Sequence, residues 1–289
     1  MIQLSNKCTE SQVRQMWKTC FDDTDEFIDL YFSEKYKNEN TLVYMQGNEV
    51  VASLQMLPYQ FTFYGDEIPI AYISGACTLP TFRGKGLMSK LLIEAFSLMQ
   101  KGNIPLSVLI PAEKWLYDYY SRYGYEKVFD EDSIEIPLKK LLVEAKDDVG
   151  TAYSLFDQRY QQQDFCIQKT KSDFITIVKD AEIDNFPPKT NLSGMARIID
   201  VSVLLSYFAQ KNPNKSFTIN IKDSLLEYNN NIYQIENGNV SISHNETNSF
   251  SCTINEVCKL ILGYRLNDFP PKISANFESQ KPIMNLMLE

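Results

Sequence analysis

The sequence is poor in the residues on which several enzyme classes depend. It contains one histidine, His244, so a serine or cysteine hydrolase of the usual kind would have to use that residue, and no Gly-x-Ser-x-Gly motif accompanies it. The six cysteines are scattered without a Cys-x-x-Cys pair, a pattern typical of reduced, buried thiols in a cytosolic protein. We therefore expect neither imidazole-based catalysis nor a metal site.

Long hydrophobic runs and an excess of positive charge are also lacking. No segment approaches the roughly 18 uninterrupted apolar residues of a spanning helix, and residues 1–7 lack the basic and apolar regions of a signal peptide. A net charge of −9 disfavours nucleic-acid binding and favours cationic partners. These features predict a cytoplasmic protein with no membrane span and no nucleic-acid partner.

Hydrophobic periodicity divides the first half of the chain into helices and strands. It predicts two helices, an antiparallel meander, and then a long amphipathic helix with its apolar face between Met88 and Met99 and its end at Gly102. The predicted helices lie at residues 9–20, 25–37, 88–101 and 113–123. The predicted strands lie at residues 42–45, 50–56, 60–64, 70–74 and 106–110, with one or two more between 125 and 136.

The character of the chain changes after about Leu142. Residues 143–190 are polar, contain a predicted helix around Phe174–Val178, and end near Pro187-Pro188. A second α+β unit follows, with predicted paired strands at 221–226 and 232–235 and a helix at 254–262 that ends at Gly263. We therefore predict an α+β protein with a domain at 1–142, a partly helical connector at 143–190 and a second domain at 191–289.

One loop carries recognisable chemistry. It runs from the end of a predicted strand into the long helix and reads Arg83-Gly84-Lys85-Gly86-Leu87-Met88. The first N–H groups of a helix have no partner within it, and two glycines let an anion approach the backbone closely. This arrangement suits a pyrophosphate, although a glycine turn before a helix can also be merely a tight loop. The spacing fits neither the nucleoside-triphosphate loop nor the dinucleotide fingerprint.

The GCN5-related N-acetyltransferases (GNAT) have an acetyl-CoA signature, Arg-x-x-Gly-x-Gly/Ala. It lies between the fourth strand of their meander and the long helix that follows. This loop resembles it, with Met88 in place of the last small residue. The resemblance implies a GNAT fold, a mixed and mostly antiparallel sheet flanked by helices, and acetyl-CoA as co-substrate. It implies that the cofactor is bound by the end of the preceding strand and by the loop: Ala76, Cys77, Thr78, Leu79, Arg83, Gly84, Lys85, Gly86, Leu87 and Met88.

A second segment, Tyr119 to Glu126, resembles the late GNAT helix that closes with an aromatic-Gly-aromatic turn. In the family a tyrosine hydroxyl there lies near the thiol and can protonate the leaving thiolate, and by position Tyr120 corresponds to it. The alternative is that Tyr117, Tyr119, Tyr120 and Tyr123 are a packing cluster.

The second half resembles the sterol-carrier-like domain of the enhanced intracellular survival type acetyltransferases. The resemblance rests on three segments, Met195–Val201, Phe217–Asp223 and Leu260–Arg265, in the expected order and spacing. Family members carry another acetyltransferase-like domain in the middle, which is shortened here to a connector. The family also forms multi-subunit assemblies, so the resemblance leaves a homo-oligomer open.

The general base is the least determined part of the predicted site. In the survival proteins the C-terminal carboxylate has this role, which would fall to Glu289 after the apolar tail Pro282–Leu288. Ordinary packing of the tail is the alternative. Other candidate bases are acids between the first two helices and one before the fourth: Asp22, Asp23, Asp25, Glu26 and Glu113.

These features predict an acetyl-CoA-dependent N-acetyltransferase. Its acceptor would be a small polyamine, an aminoglycoside-like amine or a lysine side chain, acetylated by direct transfer. Two alternatives remain open: a non-catalytic protein that binds acyl-CoA or a lipid-like ligand on a GNAT scaffold, and a ligand-binding sterol-carrier-like module fused to a degenerate acetyltransferase. The acceptor cannot be named, because acceptor specificity lies in segments without a readable motif.

Overall fold

The computed structural model describes residues 1–244 and 249–288 and confirms the predicted α+β class. Its α-helices are α1 Lys7–Cys20, α2 Asp25–Glu34, α3 Leu87–Lys101, α4 Lys114–Ser121, α5 Leu138–Glu144, α6 Val149–Tyr160, α7 Lys171–Ile183, α8 Val201–Lys211, α9 Ile254–Ile261 and α10 Pro271–Ser274. Its strands are β1 Ile2–Leu4, β2 Thr41–Gln46, β3 Glu49–Phe63, β4 Asp66–Thr78, β5 Leu106–Leu109, β6 Glu126–Phe129, β7 Cys166–Gln168, β8 Gly194–Ile198, β9 Phe217–Lys222, β10 Ile232–Glu236, β11 Asn239–Ser243 and β12 Phe250–Thr253.

The strands form two sheets. The larger sheet has the order β1-β2-β3-β4-β5-β8-β6, with β7 added to β3. Strands β2, β3 and β4 form an antiparallel meander, β1 adds an antiparallel strand that the sequence analysis did not predict, and β4 pairs in parallel with β5. The smaller sheet has the order β11-β10-β9-β12. Within the part of the chain that is described, no helix is long and apolar enough to cross a membrane.

The meander differs from the prediction in one strand. Residues 50–56 and 60–64, predicted as separate strands, are one continuous strand, β3, that runs through Pro58. Pairing with β2 ends at Gln55 and pairing with β7 begins at Gln60, so at Pro58 only β4 is a neighbour. A proline is tolerated where one side of a strand is unpaired, because its missing N–H then breaks no ladder hydrogen bond.

Strand β8 corrects the predicted placement of residues 194–198. The sequence assigned them to the second domain, but β8 lies in the larger sheet, where it pairs with β5 on one side and β6 on the other. Every residue of β8 is buried. Its apolar run therefore reflects a strand covered on both faces in the centre of a sheet. The second sheet begins only with β9, and the division of the chain at residue 190 remains a prediction.

Two hydrophobic cores cover the two faces of the larger sheet. On one face α1 and α2 pack through residues such as Met16, Trp17 and Ile28, and this core continues into α8, α9 and the smaller sheet. On the other face α3 packs through Leu91, Leu92 and Phe96, among others. The glycine loop that precedes α3 is thus anchored by the second core.

A buried ion pair joins the two sheets. Arg197 of β8 and Asp223, just after β9, have fully buried side chains and a nitrogen–oxygen distance of 2.8 Å. The guanidinium also lies over the Phe96 ring of α3, with its carbon 4.8 Å from the ring centroid. Gly124 lies so close to the guanidinium that no side chain fits there: an added Cβ would be 1.6 Å from a terminal nitrogen of Arg197. Asp223 also accepts a hydrogen bond from Asn229, which satisfies part of the buried charge.

The apolar tail packs into the molecule. Met284, Leu286, Met287 and Leu288 are buried, and the Ile283 and Met284 backbone bonds to Phe165, Ile167 and Leu192. Lys169, itself buried, donates to the side-chain oxygen of Asn285 over 2.9 Å. Residues in and beside β7 and in the segment before β8 therefore hold the C-terminal tail in place.

Candidate active site

The loop before α3 adopts the conformation that an anion site requires. Gly84 and Gly86 have φ angles of 75° and 70°, in the left-handed region where glycine is favoured. Gly86 is the N-cap of α3 and offers no side-chain cap, so the first helical N–H groups have no acceptor in the described chain. A Cβ added at either glycine would meet nothing within 4 Å. The space beside both α-carbons is therefore open, and the dipole of the helix that starts there favours a phosphate.

A bulge in β4 opens the sheet beside this loop. The register with β3 shifts between Ser53 and Gln55, and Gly75 at the bulge has a φ of 55°. A Cβ there would lie 2.5 Å from the Trp17 ring of α1, so glycine allows this close approach. Strand β4 pairs with β5 over Ile70–Tyr72, which leaves the edge of its last residues unpaired in the described structure. A free strand edge thus leads towards the N-terminus of α3.

A cavity of about 520 Å³ lies between this strand edge, the loop and α4. It contains most of the predicted cofactor residues: Ala76, Cys77, Thr78, Arg83, Gly84, Gly86, Leu87 and Met88. Residues that the sequence did not single out also line it: Cys20, Phe21, Phe82, Ala112, Trp115 and Leu116. The structure thus brings the strand end and the glycine loop to one cavity.

Two predicted cofactor residues lie outside the cavity lining. Leu79 is half-buried, and its N–H donates to the Val51 carbonyl over 3.0 Å. The Lys85 ammonium lies over the Phe82 ring, 4.6 Å from its centroid. Arg83, which does line the cavity, donates from Nε to the Thr78 carbonyl over 3.1 Å and thereby joins the loop to the strand end.

Tyr120 has the environment of a proton donor. It is 7% exposed and lines the cavity on α4, and its hydroxyl has no hydrogen-bond partner within the described chain. Burial, with a smaller contribution from the nearby Cys77 thiol, raises the pKa of Tyr120 to about 12. The hydroxyl is therefore protonated at neutral pH and free to donate. Its packing against Tyr119 and Tyr125, with centroids 5.3 and 5.8 Å apart, holds the ring without using the hydroxyl.

The neighbouring tyrosines contribute differently. Tyr119 and Tyr123 line the cavity and pack together, with ring centroids 5.1 Å apart. The Tyr117 hydroxyl instead lies 2.9 Å from the Ser193 hydroxyl, away from the cavity lining. The cluster therefore combines packing with a Tyr120 hydroxyl that faces the cavity wall and has no hydrogen-bond partner among the described residues.

Of the candidate bases, Glu113 lines the cavity, as the N-cap residue of α4. Its carboxylate accepts a hydrogen bond from the Trp115 indole over 2.8 Å. Asp23 accepts from the Trp17 indole over 2.6 Å, and the exposed Asp25 pairs with Lys18, which lowers the pKa of its carboxyl. Asp22 and Glu26 are exposed. Glu289 lies outside the described residues.

Sequence comparison supports the resemblance for the first part of the chain. Residues 2–128 match the family model described as an acetyltransferase (GNAT) domain. These residues are therefore similar in sequence to a GNAT acetyltransferase domain. The matched stretch contains the strand edge, the glycine loop and Tyr120, so the cavity lining lies within it. A comparison with curated protein sequences finds no match.

Solved structures share the fold along the whole chain. A probable N-acyltransferase from Enterococcus faecalis is 15% identical, with a TM-score of 0.71 over 99% of this chain and 98% of that one. A GCN5-related N-acetyltransferase from Anabaena variabilis is also 15% identical, with a TM-score of 0.70 and coverage of 99% and 97%. Eis1 from Mycobacterium abscessus is 11% identical, with a TM-score of 0.64 and coverage of 98% of each chain. At these identities the likeness is one of fold.

Proposed function

We propose that this protein is an N-acetyltransferase that binds acetyl-CoA in the cavity of its GNAT domain and transfers the acetyl group to a primary amine. The observation that carries the proposal is the meeting of three features in one cavity. These are the free edge of β4, the unpaired N–H groups at the start of α3, and the free hydroxyl of Tyr120. The strand edge suits an amide-bearing chain, the N–H groups suit a pyrophosphate, and the tyrosine hydroxyl suits a departing thiolate.

The residues present fit acetyl-CoA. Gly84 and Gly86 leave open the space in which a Cβ would otherwise stand, so the pyrophosphate can approach the backbone of the loop. Arg83 adds positive charge beside it. The unpaired edge of β4 at Ala76–Thr78 offers backbone donors and acceptors to the amide groups of the pantetheine arm.

Direct transfer requires a neutral amine, a held thioester and a proton for the leaving group. The amine nitrogen attacks the thioester carbonyl carbon, the carbon–sulfur bond breaks, and the thiolate takes a proton from the Tyr120 hydroxyl. We assign the removal of the amine proton to Glu113, because among the acids named above it lines the cavity. The raised pKa of Tyr120 supports its role as the acid rather than the base.

The acceptor side of the cavity favours a cation. Cys20 and Phe21 form part of its wall, and the acids at 22, 23, 25 and 26 follow them directly in the loop before α2 and in its first turn. A negative potential at this entrance would concentrate protonated amines. Polyamines, aminoglycoside-like amines and lysine side chains share this chemistry, and we propose this class as the acceptor.

We further propose that residues 191–289 are a sterol-carrier-like domain and that the chain is of the enhanced intracellular survival type. The order of the three segments quoted above and the fold shared with Eis1 over 98% of each chain support this assignment. The acidic composition supports a cytoplasmic protein that acts on small molecules or peptides rather than on nucleic acids.

The experiment that tests the proposal is thermal unfolding of the protein with acetyl-CoA, coenzyme A or ATP, repeated on Gly86→Glu. Ligand at about 100 times Kd stabilises a protein by about 2.7 kcal/mol. We expect stabilisation by the two coenzyme A forms and not by ATP, and its loss in Gly86→Glu, which places a carboxylate where the pyrophosphate would lie.

Gly47→Glu is the matched control. Gly47 also has a left-handed φ, of 61°, and open space around an added Cβ, but it lies in the β2–β3 turn outside the cavity lining. The Gly47→Glu variant should have the same backbone strain and added charge as Gly86→Glu, but it should still bind coenzyme A. If the wild type responds to neither coenzyme A form, the proposal is wrong. If the wild type does bind coenzyme A, an assay of acetyl transfer to an amine distinguishes a transferase from a protein that only binds acyl-CoA.

A further inference from the structure

Two cysteines face each other in the wall of the cofactor cavity. Cys20 is the last residue of α1, and Cys77 lies next to the end of β4. The Cys20 sulfur is 3.7 Å from the Thr78 carbonyl, which places it beside the backbone that carries Cys77. On its other side, the Cys77 sulfur lies 3.7 Å from the Ser53 hydroxyl. Both thiols are free.

The two thiols differ in their ionisation. The contact with the Cys77 thiol lowers the pKa of Cys20 most, burial opposes it, and hydrogen bonding with Arg83 and its positive charge lower it further, to about 7. The same contact and burial raise the pKa of Cys77 well above its usual value. At neutral pH a substantial fraction of Cys20 is therefore thiolate beside a protonated Cys77, the arrangement of a nucleophilic and a resolving cysteine.

The other cysteines lack this combination. Cys8 is exposed but stands near the opposite end of α1. Cys166, Cys252 and Cys258 are buried, and burial raises the pKa of each thiol. Cys20 is half-exposed, so it combines thiolate character with access to solvent through the cavity. A small oxidant should therefore react first at Cys20.

We propose that Cys20 and Cys77 form a reversible disulfide that closes the acyl-CoA cavity when the protein meets a low-molecular-weight disulfide. The closure rests on the proposed function, whereas formation of the bond does not. A sulfur–sulfur bond of about 2.05 Å would draw the last turn of α1 onto the edge of β4, which we assign to the pantetheine arm. Because α1 ends at Cys20 and a loop follows, the element can make this movement at its terminus.

The small disulfide is the oxidant in this thiol–disulfide exchange. The Cys20 thiolate attacks one sulfur of the small disulfide, forms a mixed disulfide and releases one small thiolate, which takes the proton of Cys77. The Cys77 thiolate then attacks the Cys20 sulfur, forms the Cys20–Cys77 bond and releases the second small thiolate, which takes a proton from water. Two protein thiols are oxidised, and one small disulfide is reduced to two thiols.

The test uses the full chain and oxidised glutathione. After incubation, the intact mass and the non-reduced peptide map identify any disulfide, and thermal unfolding with coenzyme A measures binding before and after dithiothreitol. We expect a loss of two hydrogen atoms, a linked peptide that contains Cys20 and Cys77, and affinity for coenzyme A reduced at least about tenfold, equal to about 1.4 kcal/mol. Dithiothreitol should restore both the mass and the affinity.

Three variants serve as controls. Cys20→Ser should form no linked peptide and should give the same coenzyme A binding with and without oxidised glutathione. Cys77→Ser should stop at the mixed disulfide between Cys20 and glutathione, and Cys8→Ser should respond as the wild type does. The proposal is overturned if no Cys20–Cys77 peptide forms, or if the cross-linked wild type binds coenzyme A as well as the reduced protein. If reduced wild type does not bind coenzyme A at all, the proposed function and the closure both fail, and the peptide map still decides whether the disulfide forms.

Discussion

At the scale of single residues, the Tyr120 hydroxyl separates two explanations of the tyrosine cluster. Its neighbours pack against one another or bond elsewhere, while Tyr120 lines the cavity without a partner within the described residues. If the hydroxyl only filled space, its removal would change little. If it protonates the leaving thiolate, its removal should slow the chemical step and leave cofactor binding intact.

We expect Tyr120→Phe to lower kcat by about 100-fold or more with little change in KM for acetyl-CoA, because general acid catalysis contributes about 10²–10⁴-fold. Steady-state kinetics with a turned-over amine would measure both constants. Tyr117→Phe is the control on the same helix, since it removes a hydroxyl that contacts Ser193 outside the cavity lining. If Tyr120→Phe kept the wild-type kcat, the role of Tyr120 would be packing and not proton donation.

At the scale of elements, the apolar tail illustrates how one segment depends on another. The sequence indicates that Pro282–Leu288 is apolar, and the structure shows that β7 and the segment before β8 hold it. Lys169 contributes a buried ammonium beside the Asn285 oxygen and the Ile167 carbonyl, at 2.9 and 3.3 Å. Burial lowers the pKa of Lys169 from 10.5 to about 8, so this contact carries a cost when the amine is charged.

This pKa predicts a pH dependence of stability. Between pH 8 and 10 the unfolded chain keeps the Lys169 proton that the folded chain loses, so this group makes the free energy of unfolding rise by about 1 kcal/mol per pH unit. Lys169→Met should remove that rise. Urea unfolding at about pH 7, 8.5 and 10 would measure the difference from wild type.

Lys171→Met is the control for this pH experiment, because Lys171 is exposed only two residues away. It should follow the wild type across the range. Parallel curves for the wild type and Lys169→Met would mean that the Lys169 amine keeps an ordinary pKa in the folded protein.

At the scale of the whole molecule, β8 makes the first part of the chain depend on the rest. Strand β6 pairs with β8 and not with β5, so residues 126–129 reach the sheet only through a strand that lies about 65 residues later. The fully buried pair of Arg197 and Asp223 then ties that strand to the smaller sheet. Breaking such a pair on one side costs about 3–5 kcal/mol, because an unpaired charge is left buried.

We therefore expect a fragment of residues 1–142 not to fold cooperatively. Without β8, strand β5 loses one neighbour, β6 loses its place in the sheet, and buried residues such as Val108 and Val128 become exposed. Circular dichroism during urea unfolding would show a broad or absent transition, beside a sharp one for the full chain. A fragment as cooperative as the full chain would contradict the structural role of β8.

The sequence by itself determined what depends on neighbours along the chain. The glycine loop, the amphipathic face of α3, the capped starts of α7 and α9 and the turn before β11 follow from local spacing and backbone preference. For the same reason the sequence could propose the loop as an anion site, because its glycines and the first residues of α3 are nearly consecutive and their N–H groups act together.

Only the tertiary structure decided what depends on pairing at a distance. An all-apolar segment such as β8 indicates that both faces are covered, but its pattern does not name the sheet that covers it. Likewise, nothing near Cys20 in the chain indicates that Cys77 lies beside it, or that Arg197 meets Asp223. Strand order, the meeting of α1 with β4 and the path of the tail are set by contacts between residues far apart in sequence, and hydrophobic periodicity carries no information about such partners.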